Sequence, residues 1–173
     1  MKKIATNVYA ETTYPGVNVG FVVTPLGAIA IAAPTLPHNA RAWRQKVIET
    51  ARGPILYVIL TDAHPDRMLS IGLMEAPIVA TRAAYEQAAA YTDGTWRGAT
   101  EVWTRTHPEA GGLPETPMAL PEIMFTDSLT LHKGGVSITV RRVAGGAPGS
   151  AWVYLPEQDV LFTGDTLVAE THP

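Results

Sequence analysis

The stretch Ile-Leu-Tyr-Val-Ile-Leu-Thr-Asp-Ala-His-Pro-Asp-Arg, residues 55–67, decides the fold of this chain. Its first half, Ile55 to Leu60, is continuously apolar, which is typical of a strand covered on both faces. Its second half, TDAHPDR, places four ionisable side chains directly after that strand: Asp62, His64, Asp66 and Arg67. A polar loop that follows a buried strand is a common place for an active site in an α/β protein.

A second polar cluster follows another apolar run about a hundred residues later. Asp165 lies in Phe-Thr-Gly-Asp-Thr-Leu, residues 162–167, at the end of the predicted strand Val160 to Thr163. Because polar residues at strand ends line the rim of such a fold, we expect His64 and Asp165 to converge at one edge of the molecule.

Length and composition limit the classes of function. A chain of 173 residues with 46% hydrophobic and 17% charged residues predicts one globular domain. A net charge of -3 argues against nucleic-acid or anionic-membrane partners. The chain has no cysteine, so a metal site here must use His, Asp or Glu. The start, MKKIATNVYA, has no long apolar segment, which predicts a cytoplasmic protein.

The first part of the chain alternates strand and helix patterns. Residues 17–24 and 27–32 predict a strand-turn-strand unit, and residues 38–52 predict a helix capped by Asn39 and stopped by Gly53. Helical turns are predicted at 68–74, a short strand at 77–80, and helices at 82–91 and 95–105. This order predicts a parallel or mixed sheet packed against helices.

The last part of the chain is rich in β-structure. Five short runs are predicted as a meander, at residues 123–126, 128–132, 136–143, 151–155 and 160–163. Gly134-Gly135 is a good hairpin turn between the second and third runs. The two parts together predict an α/β fold of two sheets packed face to face with helices outside.

With these elements in order, the chain resembles the metallo-β-lactamase superfamily of hydrolases. Four stretches carry the resemblance: the N-terminal hairpin with Asn18, DAHPDR (62–67) where the family has HxHxDH, GGAPGS (145–150) where it has GHTPGS, and LFTGDTL (161–167). The resemblance implies a four-layer αββα sandwich, and a single domain over residues 1–173 with the C-terminal part of the fold missing. A longer protein or a homodimer with exchanged elements would complete it.

The resemblance implies metal ligands, and several positions depart from it. His64, Asp66 and Asp165 match ligand positions, and Asp62 replaces the first histidine of the loop with a carboxylate. Arg67 replaces the last histidine, and a guanidinium has no acceptor for a metal. The histidine of the turn is replaced by Gly146, and His172 is a pocket candidate close to the end of the chain. A two-metal centre therefore cannot be assembled as it is in the family.

Two interpretations remain open. In the first, Asp62, His64, Asp66 and Asp165 hold one divalent ion (Zn, Mn or Fe), Asp66 ligates it or acts as the base, and the protein hydrolyses an unidentified small molecule. In the second, no metal binds, Arg67 pairs with Asp66 or Asp165 so that its charge replaces that of the metal, and the protein is a non-catalytic binding or scaffold protein. Residues 92–121 are the expected substrate lid in the first case.

Overall fold

Two β-sheets form the frame of the chain. A computed structural model describes residues 1–110, 113, 116 and 118–167. The first sheet has seven strands: β1 (Lys2–Ala5), β2 (Val8–Glu11), β3 (Val19–Thr24), β4 (Gly27–Ile31), β5 (Ile55–Ile59), β6 (Ile78–Thr81) and β7 (Ile123–Phe125). The second has four: β8 (Ser128–Lys133), β9 (Val136–Arg142), β10 (Ala151–Leu155) and β11 (Val160–Phe162).

Along the chain, the helices come between strands of the first sheet. They are α1 (Pro37–Ala51), α2 (Pro65–Met68), α3 (Arg82–Ala89) and α4 (Asp93–Thr106), with short 3-10 turns at Ile71–Met74 and Gly164–Thr166. Among the described residues, no helix combines the length and the apolar character that crossing a bilayer requires.

The first sheet is mixed, as its sequence predicted. Strands β1 to β4 pair antiparallel, whereas β4 to β7 pair parallel in the order of the chain. Helical connections between parallel strands are the expected crossovers of an α/β fold. The carboxyl ends of β5 and β6 consequently meet at one edge, and this edge carries the loop that begins with Thr61.

Two of the apolar cores in the described part of the chain hold the layers together. One lies between the helices and the first sheet, where Trp43 and Val47 of α1 pack with Phe21 and Val58. The other lies between the two sheets, where Ile29 and Ile59 of the first face Val140 and Val153 of the second. The helix, sheet and sheet layers confirm the predicted α/β architecture.

The outer face of the second sheet, which faces away from the first sheet, carries partly exposed apolar side chains. Tyr154 and Leu161 on this face are 39% and 43% exposed.

Helix α1 begins and ends at other residues than the sequence predicted. Its N-cap is Leu36, and Pro37 occupies the first turn, so Asn39 lies within the helix. Proline is favoured there because its fixed φ suits the first helical position. At the other end Arg52, not Gly53, adopts the left-handed conformation, with φ of 52°. Gly53 instead allows a close approach, since a Cβ there would lie 3.2 Å from Gly27 Cα.

The predicted meander is one strand shorter than expected. The run that begins at Ile123 forms β7 and pairs parallel with β6 of the first sheet, so it does not join the second sheet. A short apolar run carries no signal for which edge it will extend, which is why the sequence misplaced it. The hairpin between β8 and β9 is confirmed, with φ of 56° at Gly134 and 79° at Gly135.

Candidate metal centre

The loop after β5 is folded by local hydrogen bonds. The Asp62 carboxylate accepts from the backbone N–H of His64, with Oδ1 3.0 Å from the nitrogen. Pro65 then starts α2, with His64 as its N-cap residue, and the Arg67 N–H donates to the His64 carbonyl at 2.9 Å. Aspartate turns of this kind and a proline in the first helical turn are both local preferences of the sequence. They direct the side chains of Asp62 and His64 to the same side of the loop.

The second polar loop is joined to the first at Thr61. The Ala151 N–H of β10 donates to the Thr61 carbonyl at 2.7 Å, which links the two sheets at this edge. Gly164 packs on the same residue, because a Cβ on it would lie 2.9 Å from Thr61 Cβ. Gly164 also has φ of 55°, a conformation that favours glycine. The contact with Thr61 therefore determines where Asp165, the residue after Gly164, is placed.

Three candidate ligands meet at this junction. Asp62, His64 and Asp165 each offer one ligand atom, and these atoms lie within 4.8 Å of one another. The predicted convergence of His64 and Asp165 is thus present in the structure. Asp62 is buried, His64 is exposed and Asp165 is partly buried, so the group opens to solvent on one side.

Arg67 lies next to this group and is nearly buried, with 8% of its surface exposed. Its Nε donates to Asp165 Oδ2 at 3.0 Å, and its Nη2 donates to the same oxygen. Its Nη1 donates to Asp66 Oδ2 at 3.1 Å. The guanidinium therefore bridges two carboxylates. Asp66, predicted as a ligand and base, is directed to Arg67 and is not a member of the three-residue group.

The surroundings of Asp62 disfavour the ionised form of its carboxyl group. Burial raises the pKa of its carboxyl above the usual value, and the nearby Asp165 raises it further. The His64 backbone N–H, Arg67 and the His64 ring act in the opposite direction. The ring Nδ1 of His64 lies 3.2 Å from Asp62 Oδ1, so the carboxylate also orients the imidazole. A cation close to Asp62 would relieve the cost of this buried charge.

The donor set suits a divalent cation. Two carboxylates and one imidazole match the ligand preferences of Mn, Fe(II) and Zn. Their ligand atoms lie within 4.8 Å of one another, which is close enough to share one ion. The set has one carboxylate fewer than the sequence predicted, because Asp66 pairs with Arg67. A cavity of about 670 Å³ borders Arg67 and Asp165, within the size range of small-molecule sites.

Two further pocket candidates were Gly146 and His172. Gly146 is exposed, and no described heavy atom lies within 4 Å of the position that a Cβ would take there. The turn therefore has space for a side chain that this sequence does not supply. His172 lies outside the described residues.

Tyr91 contacts the loop that carries Asp62 and His64, and the sequence did not predict this contact. Tyr91 was assigned to the end of the helix at 82–91, and in the structure its hydroxyl donates to the Ala63 carbonyl, between Asp62 and His64. The sequence carries no signal for this contact. A helix that follows a parallel strand begins at the edge where the strand ends and runs back from it, so the end of the helix after β6 is not expected beside the loop after β5.

Comparisons with known proteins agree with this architecture. The model of the metallo-beta-lactamase superfamily matches residues 34–173. Among similar solved structures is a metallo-beta-lactamase from Pontibacter korlensis, with 21% identity and a TM-score of 0.66 over 94% of this chain and 69% of that chain. A metallo-beta-lactamase family protein from Thermus thermophilus has 20% identity and a TM-score of 0.68 over 99% of this chain and 63% of that chain.

A third similar structure carries substitutions in its own motif. It is a HARLDQ motif mutant of a metallo-beta-lactamase from Cronobacter sakazakii, with 24% identity and a TM-score of 0.64 over 91% of this chain and 60% of that chain. At these identities the likeness shows the fold. The chain spans 60–69% of the length of these three structures.

Proposed function

The chain belongs to the metallo-β-lactamase superfamily, and from this membership we propose that it is a metal-dependent hydrolase of small molecules with a single-ion centre. Asp62, His64 and Asp165 would hold the ion. The observation that supports this most directly is the convergence of their ligand atoms within 4.8 Å at the junction of the two sheets. The substrate would bind in the adjoining cavity of about 670 Å³.

The residues of the chain have separate parts in this proposal. Asp62 orients the His64 ring through the contact at Nδ1. Arg67 holds Asp165 in place and supplies a fixed positive charge, while Asp66 holds Arg67 from its other side. An ion bound there would polarise a carbonyl or phosphoryl oxygen and lower the pKa of water. Asp66 is thereby assigned a positioning part in place of the base predicted from sequence.

The test combines metal content with hydrolysis. The purified protein is incubated with Mn, Zn or Fe(II), freed of excess metal, and assayed by elemental analysis and with a panel of esters, lactones and phosphodiesters. We expect about one ion per chain, and loss of both ion and activity in His64→Ala. His132→Ala is the matched control, because His132 is exposed and its ring contacts Ser137 on the second sheet. Activity that survives in His64→Ala would reject the proposal.

A second candidate function is a binding protein without catalysis. The observation in its favour is the pairing of Arg67 with both Asp165 and Asp66, which neutralises carboxylates that a metal would otherwise neutralise. This candidate predicts no stoichiometric metal, no turnover with any member of the panel, and equal thermal stability with and without added Mn. The same elemental analysis and assay therefore distinguish the two functions.

A further inference from the structure

Tyr91 lies outside the group of candidate ligands but contacts the loop that carries two of them. Its hydroxyl donates to the carbonyl of Ala63, the residue between Asp62 and His64. The same hydroxyl accepts a hydrogen bond from Gln87 Nε2 at 3.0 Å. A tyrosine has a single O–H to donate, and here that proton is committed to the loop.

Hydrogen bonds hold both the backbone and the side-chain hydroxyl of Tyr91. Its backbone N–H donates to the Ala88 carbonyl at 3.1 Å, at the end of α3. The next residue, Thr92, caps α4 by accepting from the Thr95 N–H. The hydroxyl is therefore held at the junction of two helices, and Ala63, whose carbonyl it meets, is fully buried. Removing the donor would leave that carbonyl short of a partner at this position, which is costly.

We propose that Tyr91 is a positioning residue of the candidate centre, which fixes the Ala63 peptide and thereby the mutual orientation of Asp62 and His64. The peptide at Ala63 connects the two ligand residues, and the His64 N–H that follows it is bonded to Asp62 Oδ1 at 3.0 Å. A rotation of this peptide would move the His64 N–H away from Asp62. The effect on metal binding rests on the proposed function, whereas the effect on the loop does not.

The competing explanation is that Tyr91 only fills space. Its ring packs against the core between the helices and the first sheet. Tyr91→Phe separates the two explanations, because it keeps the ring and removes the hydroxyl. Tyr85→Phe is the matched control, since Tyr85 is also a partly buried tyrosine and lies nearby, on α3.

The first measurement is amide hydrogen exchange by NMR on the metal-free protein. The reporters are the N–H groups of His64 and Arg67, which are bonded to Asp62 Oδ1 and to the His64 carbonyl. Loss of one neutral hydrogen bond predicts about fivefold faster exchange at these two amides in Tyr91→Phe. Exchange in β10 should be unchanged, and Tyr85→Phe should match the unmodified protein. Equal rates in Tyr91→Phe and the unmodified protein, or equal acceleration throughout the chain, would overturn the proposal.

The second measurement is Mn²⁺ affinity by isothermal titration calorimetry. We expect Tyr91→Phe to weaken binding about fivefold and Tyr85→Phe to leave it unchanged. Equal affinities in the two variants would contradict an influence of Tyr91 on the centre. If the unmodified protein binds no Mn²⁺, the proposed function fails, while the exchange rates still decide whether Tyr91 fixes the loop.

Discussion

Arg67 is a buried cation at a position where the superfamily resemblance implies a metal ligand. It is 8% exposed and bridges Asp165 and Asp66, whose side chains are 42% and 30% exposed. An ion bound to Asp165 would share that carboxylate with the guanidinium. Arg67 therefore stabilises the metal-free protein, and it would oppose the binding of an ion to Asp165.

Arg67→Gln should have opposite effects on stability and on metal affinity. Because both carboxylate partners are partly exposed, the metal-free protein should lose about 1–2 kcal/mol, less than for a fully buried pair. Mn²⁺ affinity should rise, since Asp165 loses its competing partner. Urea unfolding and calorimetric titration measure the two effects. Arg44→Gln, in the exposed pair with Glu75, should cost less than about 1 kcal/mol and leave metal affinity unchanged.

Asp62→Asn should stabilise the metal-free protein at neutral pH and weaken metal binding. The carboxylate is 2% exposed and carries a charge that burial disfavours, whereas an amide keeps an oxygen to accept from the His64 N–H. We expect a higher urea midpoint and at least about tenfold weaker Mn²⁺ binding. Asp127→Asn, at an exposed position, should change neither quantity. A lower midpoint for Asp62→Asn would contradict this account of the buried charge.

The residues of the centre were only partly predictable from the sequence. The convergence of His64 and Asp165 was predicted from their places directly after two apolar runs, because polar residues at strand ends commonly line the rim of a site in such folds. The second interpretation predicted that Arg67 pairs with Asp66 or Asp165, and the structure contains both pairs. That Asp66 is directed to Arg67 and away from the other candidate ligands depends on side-chain direction, which the sequence pattern does not determine. Tyr91 contacts the loop across two elements, and no motif marks such a contact.

At the scale of elements, the turn at residues 145–150 is docked on the start of α3. The hydroxyl of Thr81 accepts from the Ala84 N–H at 3.1 Å, which caps α3, and donates to the Gly149 carbonyl at 2.9 Å. One side chain thus provides a hydrogen-bond partner for the first turn of the helix and for the turn at 145–150. The turn leads directly into β10, whose Ala151 N–H is bonded to Thr61 beside the candidate centre.

Gly149→Ala should destabilise the protein by more than about 2 kcal/mol. Gly149 has φ of 80°, and a Cβ there would overlap the backbone nitrogen of Ala84 and the hydroxyl of Thr81. Gly146→Ala in the same turn is the control, and it should change stability by less than about 0.5 kcal/mol because the position is open. Thermal and urea unfolding compare the two. Similar losses in both variants would mean that the turn is not docked as described.

The elements themselves were largely predictable, and their partners less so. The strands around Leu26 and the hairpin at Gly134 carry strong local signals and form where they were expected. The predicted start of α1 was wrong. Asn39 is a good N-cap residue, but the helix begins at Pro37, two residues earlier. The strand at Ile123 was assigned to the wrong sheet, since pairing between distant strands is decided by packing.

At the scale of the whole molecule, acid stability should depend on Glu11. Its carboxylate accepts from the amino terminus of Met1 and from Thr12 and Thr13, and these bonds, led by the amino terminus, hold its pKa at about 2 against a usual 4.5. Because the unfolded chain binds the proton more tightly, this stabilisation is present above pH 4.5 and is lost as the pH falls to about 2.

Glu11→Gln should therefore be less stable than the unmodified protein at pH 7 and should lose less stability on acidification. Urea unfolding at pH 7, 4 and 3 measures the difference between the two proteins at each pH. That difference should shrink as the pH falls. A difference that stays constant over this range would show that Glu11 does not contribute through its charge. The surface variant Glu109→Gln should show no such trend, because Glu109 is exposed.

The contact between Arg67 and Asp165 joins residues 98 positions apart in the chain. Closing a loop of that length is entropically costly, and the contact needs both sheets docked at Thr61, so we expect it to form late in folding. A nascent chain emerging from the ribosome carries Asp62 and His64 long before Asp165 is synthesised. An ion that arrived at that stage would find only two of the three candidate ligands. Binding of the ion would therefore follow folding of the chain.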